Sequence, residues 1–341
     1  MSIDEMFDDL RGIILELIES FVPTETHRIH NIIYSKETKQ LLKKKLLIWK
    51  KAGNSDEYKH VSALFKRSLV KSEEERIYKR LNSGSKNFFG FMKSKFKGNS
   101  DIPAIRYKSN ENIIMSDEGK AEIFGDCFSE FFNIDKDILP ATGNLISKFS
   151  SDVIFTPENI ELLLYKLKGR NNTSPDSIPS IFLKRACTPL AIPLCIIFTE
   201  SYRVGRIPKS WKEAIVMPLH KKGSRSDPLN YRPISLTSNI CKIMEKLIRK
   251  HLVQYLSENN LLSEKQFGFL NQRSTISQLI AYQNKLVFNS LNGLDTHSVY
   301  IDFQRAFDTV PLNKLIHKLE TFGISPKLRN WLHSFVTDRK F

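Results

Sequence analysis

One carboxylate dominates the chemistry this chain can offer: Asp302, in the run SVYIDFQRAFDTV at 298–310. Val299, Tyr300, Ile301 and Phe303 surround it with the β-branched and aromatic content of a short buried strand, Ser298 to Phe303. An acid at the end of a core strand is costly unless it is paired, hydrogen-bonded or metal-bound. Two readings stay open at this point. Asp302 is either one ligand of a two-metal nucleotidyl-transfer site, or an acid that caps the following helix or meets an arginine.

The 341 residues can hold two or three compact units, and 41% hydrophobic content with 23 Phe supplies material for a core. Fifty-two basic against thirty-seven acidic residues leave a net +15, which suggests a polyanionic partner. The charge is unevenly spread. Residues 1–30 carry two basic and seven acidic residues, and 31–100 carry eighteen and six; 101–170 carry eight and twelve, and 171–341 twenty-four and twelve. Two basic regions thus flank an acidic one. Cys127, Cys187, Cys195 and Cys241 lack the paired spacing of a zinc knuckle or a disulfide scaffold, which favours a reducing compartment. The start MSIDEMFDDL is not a signal peptide, no run reaches the ~20 apolar residues of a membrane span, and HRIH at 27–30 does not argue for a metal.

The elements that must position Asp302 follow from periodicity. Residues 6–20 place Leu10, Ile13, Ile14 and Leu17 on a helical stripe ending before Pro23. From Glu37 to about Phe96 the chain is helix-prone and basic, broken at Gly53-Asn54-Ser55, with Leu42, Leu46 and Trp49 expected on one face flanked by lysines. Such a helix lies along nucleic acid, along a membrane surface or against another domain. The stretch 85–98 interleaves Phe88, Phe89, Phe91 and Phe96 with lysines, a pattern for base stacking or for an amphipathic docking helix. A loop or small hairpin is expected over 99–115 and a helix over 118–132; another helix opens at Thr156-Pro157-Glu158 and ends near Gly169. The apolar run 186–198, with Pro189 and Pro193, reads as a buried core helix. Strands are expected at 213–219 and 234–237, and a helix at 240–257. Further helices carry Leu312, Leu315, Ile316 and Leu319, then Leu328, Trp331, Leu332 and Phe335. Strands interleaved with helices indicate α+β layers.

Five blocks, in order, carry a specific resemblance: NNTSPDSIPSIFLK (171–184), GRIPKSWKEAIVMPLHKKG (205–223), DPLNYRPISLTSNICKIMEKLI (227–248), LLSEKQFGFLNQRSTISQL (261–279) and YIDFQRAFDTV (300–310). Together they resemble the reverse transcriptase domain of non-LTR retrotransposons, above all the jockey and chicken-repeat groups. The start FDDLRGIILELIESFVP and the basic region through KNFFGFMKSK resemble the linker that joins an endonuclease to the polymerase in these elements. The implied fold is α+β: the fingers and the N-terminal part of the palm of a right-hand polymerase, preceded by a mostly helical basic extension. The implied domains are an acidic helical segment at 1–35, a basic helical linker and connector at 36–150, and the reverse transcriptase domain at 151–341, truncated inside the palm.

The resemblance also implies roles. Asp302 falls on the acid that binds both catalytic Mg²⁺ ions, and the Phe303 carbonyl on a further oxygen ligand. Two more carboxylates come, in the family, from an acidic pair of the type Y/F-A-D-D, which this sequence does not contain. The 341-residue chain is therefore expected to be an incomplete, inactive site by itself. Phe307 falls where these polymerases place a bulky residue under the sugar of the incoming deoxynucleotide; a core phenylalanine is the alternative. Asp308 is expected to hold the turn into the next helix, as an N-cap or an ion-pairing acid. Arg232 is expected to grip the triphosphate with its planar fork of donors, aided by Lys221 or Lys222 across a hairpin around GSRSDPLN. The family's lysine aligns with His220 or Lys221, which leaves that register open by one residue.

Gln266, Phe267, Gly268, Phe269, Arg273 and Ser274 resemble the block beside the template, with Gly268 allowing close approach and Arg273 meeting either a template phosphate or a surface acid. Ser174 and Ser177 stand where relatives often have the glycines of a G-P-D-G core, so a reshaped loop or a decayed copy is expected around the structural residues Pro175 and Asp176. Leu312 stands where the family commonly has His. The implied partners are an RNA template, a DNA primer and dNTP, held through backbone phosphates and duplex shape, with no membrane. Nucleus or cytoplasm is the implied compartment. Two other readings remain: a non-catalytic or domesticated nucleic-acid-binding fragment, and an unstable truncation product with an unpartnered sheet edge.

Overall fold

The computed structural model describes residues 1–23, 35–82, 102–106, 113–131, 150–170, 174–303 and 305–341. The aromatic and basic stretch at 85–98, HRIH at 27–30 and most of the 139–149 connector lie outside the described residues. The chain forms two compact units, one made of Met1–Val22 with Pro103–Phe341 and the other of Pro23–Ile102.

In chain order the larger unit begins with α1 (Ile3–Phe21), opened by a capping box between Ser2 and Glu5. Ile3, Phe7 and Ile14 are buried, whereas Ile13 and Leu17, expected on the inward stripe, face solvent. The packed stripe is rotated because Phe7 meets Trp211 edge-on at 5.2 Å and sets the face that the helix presents.

The smaller unit is an antiparallel pair, α2 (Lys36–Ala52) and α3 (Asp56–Leu81), joined across Gly53, which caps α2 at φ 56°. Thr38 and Ile48 are the buried residues of α2, and Val61 and Phe65 are buried on α3. Of the stripe Leu42, Leu46 and Trp49, the last two are exposed. A hydroxyl chain running from Ser35 through the buried Thr38 (2.7 Å) and on to the half-buried Ser68 (2.7 Å) fixes the rotation of α2.

The larger unit resumes with α4 (Asp117–Ser129), α5 (Pro157–Tyr165), α6 (Ser180–Arg185) and α7 (Cys187–Val204). Thr156 caps α5 with Pro157 in the first turn, as the sequence requires. A hairpin of β1 (Ile215–His220) and β2 (Tyr231–Leu236) follows, antiparallel, with Leu219 opposite Arg232 and His220 opposite Tyr231. Then come α8 (Asn239–Glu258), α9 (Thr275–Leu291), α10 (Leu312–Thr321) and α11 (Pro326–Val336). The architecture is helix-rich with one small sheet, an α+β mixture.

The core centres on α7, against which α1, α5 and α11 pack. Trp211 is fully buried between Phe7 and Phe198. Trp331 donates to the Ser201 hydroxyl (3.1 Å), which donates to the Arg206 carbonyl (2.6 Å), whereas the buried Trp211 Nε1 has no hydrogen-bond partner among the described residues. Among the described residues no helix is long and apolar enough to cross a membrane.

The strand expected at 298–303 does not form. The segment is extended but unpaired, and Ile301 is 83% exposed along with Val299, Tyr300 and Phe303. Strand propensity becomes a strand only beside a neighbour, and among the described residues the sheet contains only β1 and β2.

Candidate functional site

The hairpin that carries Arg232 is rigid because its loop is closed by polar contacts. Asn230 donates to the Ser224 carbonyl (3.0 Å), its own carbonyl accepts from Lys221 N–H (2.9 Å), and Tyr231 Oη donates to the Arg225 carbonyl (2.7 Å). Gly223 takes φ +80°, and a Cβ there would stand 2.7 Å from Asn230 Nδ2, so the turn demands glycine on two counts. The upstream segment braces the hairpin from outside: Arg106 N–H donates to the Ser226 carbonyl (2.8 Å), and Phe124 of α4 meets the buried Tyr231 ring edge-on at 4.9 Å.

After Asp302 the backbone turns at Arg305 (φ +51°), whose carbonyl accepts from the amides of Asp308 (2.9 Å) and Thr309 (3.1 Å). The N-cap of α10 is Pro311, without a side-chain bond, so the cap expected of Asp308 is corrected. The reason is spacing: the turn closes at Asp308–Thr309 and two further residues pass before the helix begins. Asp308 holds the turn through its amide instead.

These two pieces face a common cavity of about 730 Å³. The hairpin contributes Lys221, Lys222, Asn230 and Arg232; the turn contributes Asp302, Phe303, Arg305, Phe307 and Asp308; Phe131, just past α4, adds a wall. Four cations therefore line it against two carboxylates. That balance suits a polyanion that arrives with a divalent cation. Phe307 is 87% exposed and meets Phe269 edge-on at 6.3 Å, so it is no core phenylalanine.

The cavity excludes the other expected residues. Gln266 Nε2 donates to the Gly268 carbonyl (3.4 Å), and a Cβ at Gly268 would meet nothing within 4 Å. Arg273 stacks over Phe267 at 5.5 Å and donates to the Gln266 carbonyl (2.8 Å) and the Glu264 carbonyl. Its guanidinium thus ties the loop rather than pairing with an acid. Arg249 joins the same loop through the Phe269 carbonyl (3.0 Å), which links it to the cavity by way of Phe307.

Asp176 lies elsewhere, 3% exposed at the head of α8. Its carboxylate accepts from Ser174 Oγ (2.6 Å), Ile178 N–H (3.1 Å) and Ser238 Oγ (2.6 Å), while its carbonyl accepts from Arg11 Nε (3.0 Å). Ser177 adopts φ +65°, the left-handed geometry of the glycine it replaces. The loop keeps its turn, and Ser174 adds a hydroxyl that bridges Asp176 and, accepting from Asn239 Nδ2 (3.2 Å), α8.

The lining residues that the sequence reading did not assign to the site include Asn230, Arg305 and Phe131. Arg305 lies only three residues past Asp302, inside the same block. Phe131 was not legible, because its approach depends on how α4 packs on Tyr231. The metal-ligand count is also plain: among the described residues no group of three His, Cys, Asp or Glu side chains lies together.

Residues 219–341 match the family model for reverse transcriptase (RNA-dependent DNA polymerase). Over 193 residues the chain is 31% identical to the probable RNA-directed DNA polymerase from transposon BS of Drosophila melanogaster, covering 54% of this chain and 21% of that protein. It is 29% identical over 215 residues to the probable RNA-directed DNA polymerase from transposon X-element of the same species, covering 59% and 23%. Against the RNA-directed DNA polymerase from mobile element jockey, also of D. melanogaster, it is 30% identical over 187 residues, 54% and 20% of the two chains. The matched stretch spans about a fifth of the length of these relatives.

Proposed function

The chain is a relative of the reverse transcriptases of non-LTR retrotransposons, and from that premise we propose that residues 151–341 form the nucleotide-binding part of an RNA-directed DNA polymerase. The reaction is addition of deoxynucleotides to a DNA primer on an RNA template, inside the cell, in nucleus or cytoplasm. The observation that carries the reading is the single cavity in which Arg232, Lys221 and Lys222 of the hairpin converge with Asp302 and Phe307 of the turn.

In this reading the hairpin belongs to the fingers and the 298–310 segment to the start of the palm. Arg232 holds the triphosphate through parallel N–H donors, and the two lysines add point charges along the same anion. Phe307 lies under the sugar and rejects a 2′-hydroxyl by contact. Gln266, Gly268 and Arg273 shape the loop beside the template, the glycine leaving room for a strand.

The donors fit a hard cation. The Asp302 carboxylate and the Phe303 carbonyl offer only oxygen, and Mg²⁺ is commonly held by one or two carboxylates together with substrate phosphates. Bound there, the ion polarises the phosphoryl oxygens and neutralises charge that builds in displacement. Two ions need more carboxylate than Asp302 supplies. The 341-residue polypeptide alone therefore binds nucleotide without extending a primer.

The test has two parts. Calorimetric titration of a deoxynucleoside triphosphate with Mg²⁺ into residues 1–341 is expected to show binding that Arg232→Ala weakens by about tenfold or more, the scale of a lost charged hydrogen bond. Absence of binding in the unaltered chain overturns the reading. Primer extension with Mg²⁺ or Mn²⁺ is expected to fail; template-dependent extension that Asp302→Ala abolishes would sink the claim of inactivity.

A further inference from the structure

Helix α2 carries seven lysines in seventeen residues and one acid, Glu37. At 100° per residue, six of them, Lys36, Lys39, Lys43, Lys44, Lys50 and Lys51, fall within an arc of about 140°. All six are exposed. The seventh, Lys45, turns inward over the rings of Tyr58 (5.6 Å) and Phe65 (5.2 Å). Packing against α3 through Thr38 and Ile48 thus occupies one face and leaves a lysine face on the other, about 22 Å long.

We propose that this face is a binding surface for the phosphate backbone of single-stranded RNA. A membrane surface fits less well, because an interfacial helix must bury one continuous apolar face in lipid, whereas Ile48 of α2 is buried and exposed Leu46, Leu47 and Trp49 are spread around the helix. An acidic protein partner would call for fixed forks of donors, whereas lysines are flexible point charges that follow a polyanion without register. The i,i+3 and i,i+4 neighbours among them stand about 5–6 Å apart, close to the step between phosphates along a strand. Exposed Leu47, set among these lysines, offers apolar contact to unpaired bases, while Trp49 lies on the other side against Tyr58 of α3 (4.8 Å). The choice of RNA rests on the polymerase reading, in which the uncopied template is single-stranded while the primer enters paired. Binding is independent of base identity, since nothing on this face reads base edges.

The experiment titrates an unstructured 20-nucleotide RNA into residues 1–341 by fluorescence anisotropy at several salt concentrations. The quadruple variant Lys43→Glu, Lys44→Glu, Lys50→Glu and Lys51→Glu is expected to bind at least tenfold more weakly at about 0.1 M salt, with a salt slope shallower by about 3. Retained circular dichroism shows that α2 still forms; if it is lost, the corresponding Lys→Gln variant, which spares the helix, decides. Unchanged affinity and slope overturn the proposal. Tighter binding to single-stranded DNA of equal length, or to phosphatidylserine vesicles, overturns the assignment to RNA. Nucleotide binding at the Arg232 cavity is measured in parallel: its persistence in the variant supports a separate surface, and its absence in the unaltered chain defeats the polymerase reading without touching the RNA measurement.

Discussion

The guanidinium of Arg305 lies 3.1 Å from the ring centroid of Phe131, joining the turn after Asp302 to a segment that precedes the matched region 219–341. A cation on an aromatic face contributes about 0.5–1 kcal/mol at an exposed site. The ring also restrains a side chain that lines the cavity with Arg232 and the two lysines. Phe131→Leu is therefore expected to lower triphosphate affinity about two- to fivefold with the melting temperature nearly unchanged. Arg305→Ala should cost more. Equal affinities in all three proteins would show that Arg305 stands apart from the anion.

Arg232 is expected to act by shape as well as charge. Arg232→Lys keeps the charge and loses the planar fork. Its affinity for a deoxynucleoside triphosphate should fall severalfold while affinity for the monophosphate barely moves. Competition binding with the tri-, di- and monophosphate series separates these outcomes; a uniform loss across the series would refute the phosphate assignment.

The loop at Asp176 makes two opposite stability predictions. Ser177→Gly relieves a left-handed serine and should raise stability by about 1 kcal/mol. Asp176→Asn leaves an amide facing donors and should cost about 1–3 kcal/mol, because Ser238 Oγ already accepts from Ile240 and Cys241 N–H groups at the start of α8. Urea unfolding of both variants checks signs and sizes together.

The ion pair between Lys327 Nζ and Asp152 (2.8 Å) fixes the sign of an acid effect. The Lys327 hydrogen bond, with its charge and the Tyr202 hydroxyl, holds the Asp152 carboxyl below its ordinary value against a small opposing effect of burial. A depressed folded value means stability that is present above the unfolded value near 3.9 and lost as pH falls through the lower folded one. The same bond raises Lys327, so its share is present below about pH 10.4 and lost as pH rises through the raised value. Both side chains are about half exposed, so solvent screening keeps the contribution of the pair small. Melting temperatures of Asp152→Asn should therefore fall less steeply than those of the parent below about pH 4; parallel curves would discard the pair as a contributor.

Much of the helical fold was legible because it is written locally. Thr156-Pro157 starts α5, Ser325-Pro326 starts α11, and the apolar period of 240–257 reappears as α8. Helix α9 is absent from the sequence expectations although Ser274 and Ser277 form a reciprocal cap at its start; none of its residues is buried. The strand at Asp302 was misplaced for a deeper reason: valine, isoleucine and tyrosine state a preference, whereas pairing depends on another segment. The site was half legible. Arg232, Lys221, Lys222, Asp302 and Phe307 could be named from their blocks, but the order of the blocks cannot say that Phe131 and Asn230 close the same space.

Helix α1 reaches its partners over long stretches of chain. Asp4 accepts from Lys209 N–H (2.7 Å) across 205 residues, and Arg11 donates to the Asp176 carbonyl across 165. At about 5–20 residues per second, a ribosome needs on the order of 10–40 s to deliver Lys209 after Asp4 has emerged. During that interval Phe7 and Ile14 have no Trp211 or α7 to cover them, while α2 and α3 complete their own pairing. Helix α1 is thus made well before it can dock, and its apolar face stands uncovered on the nascent chain for that interval, a surface in need of a chaperone.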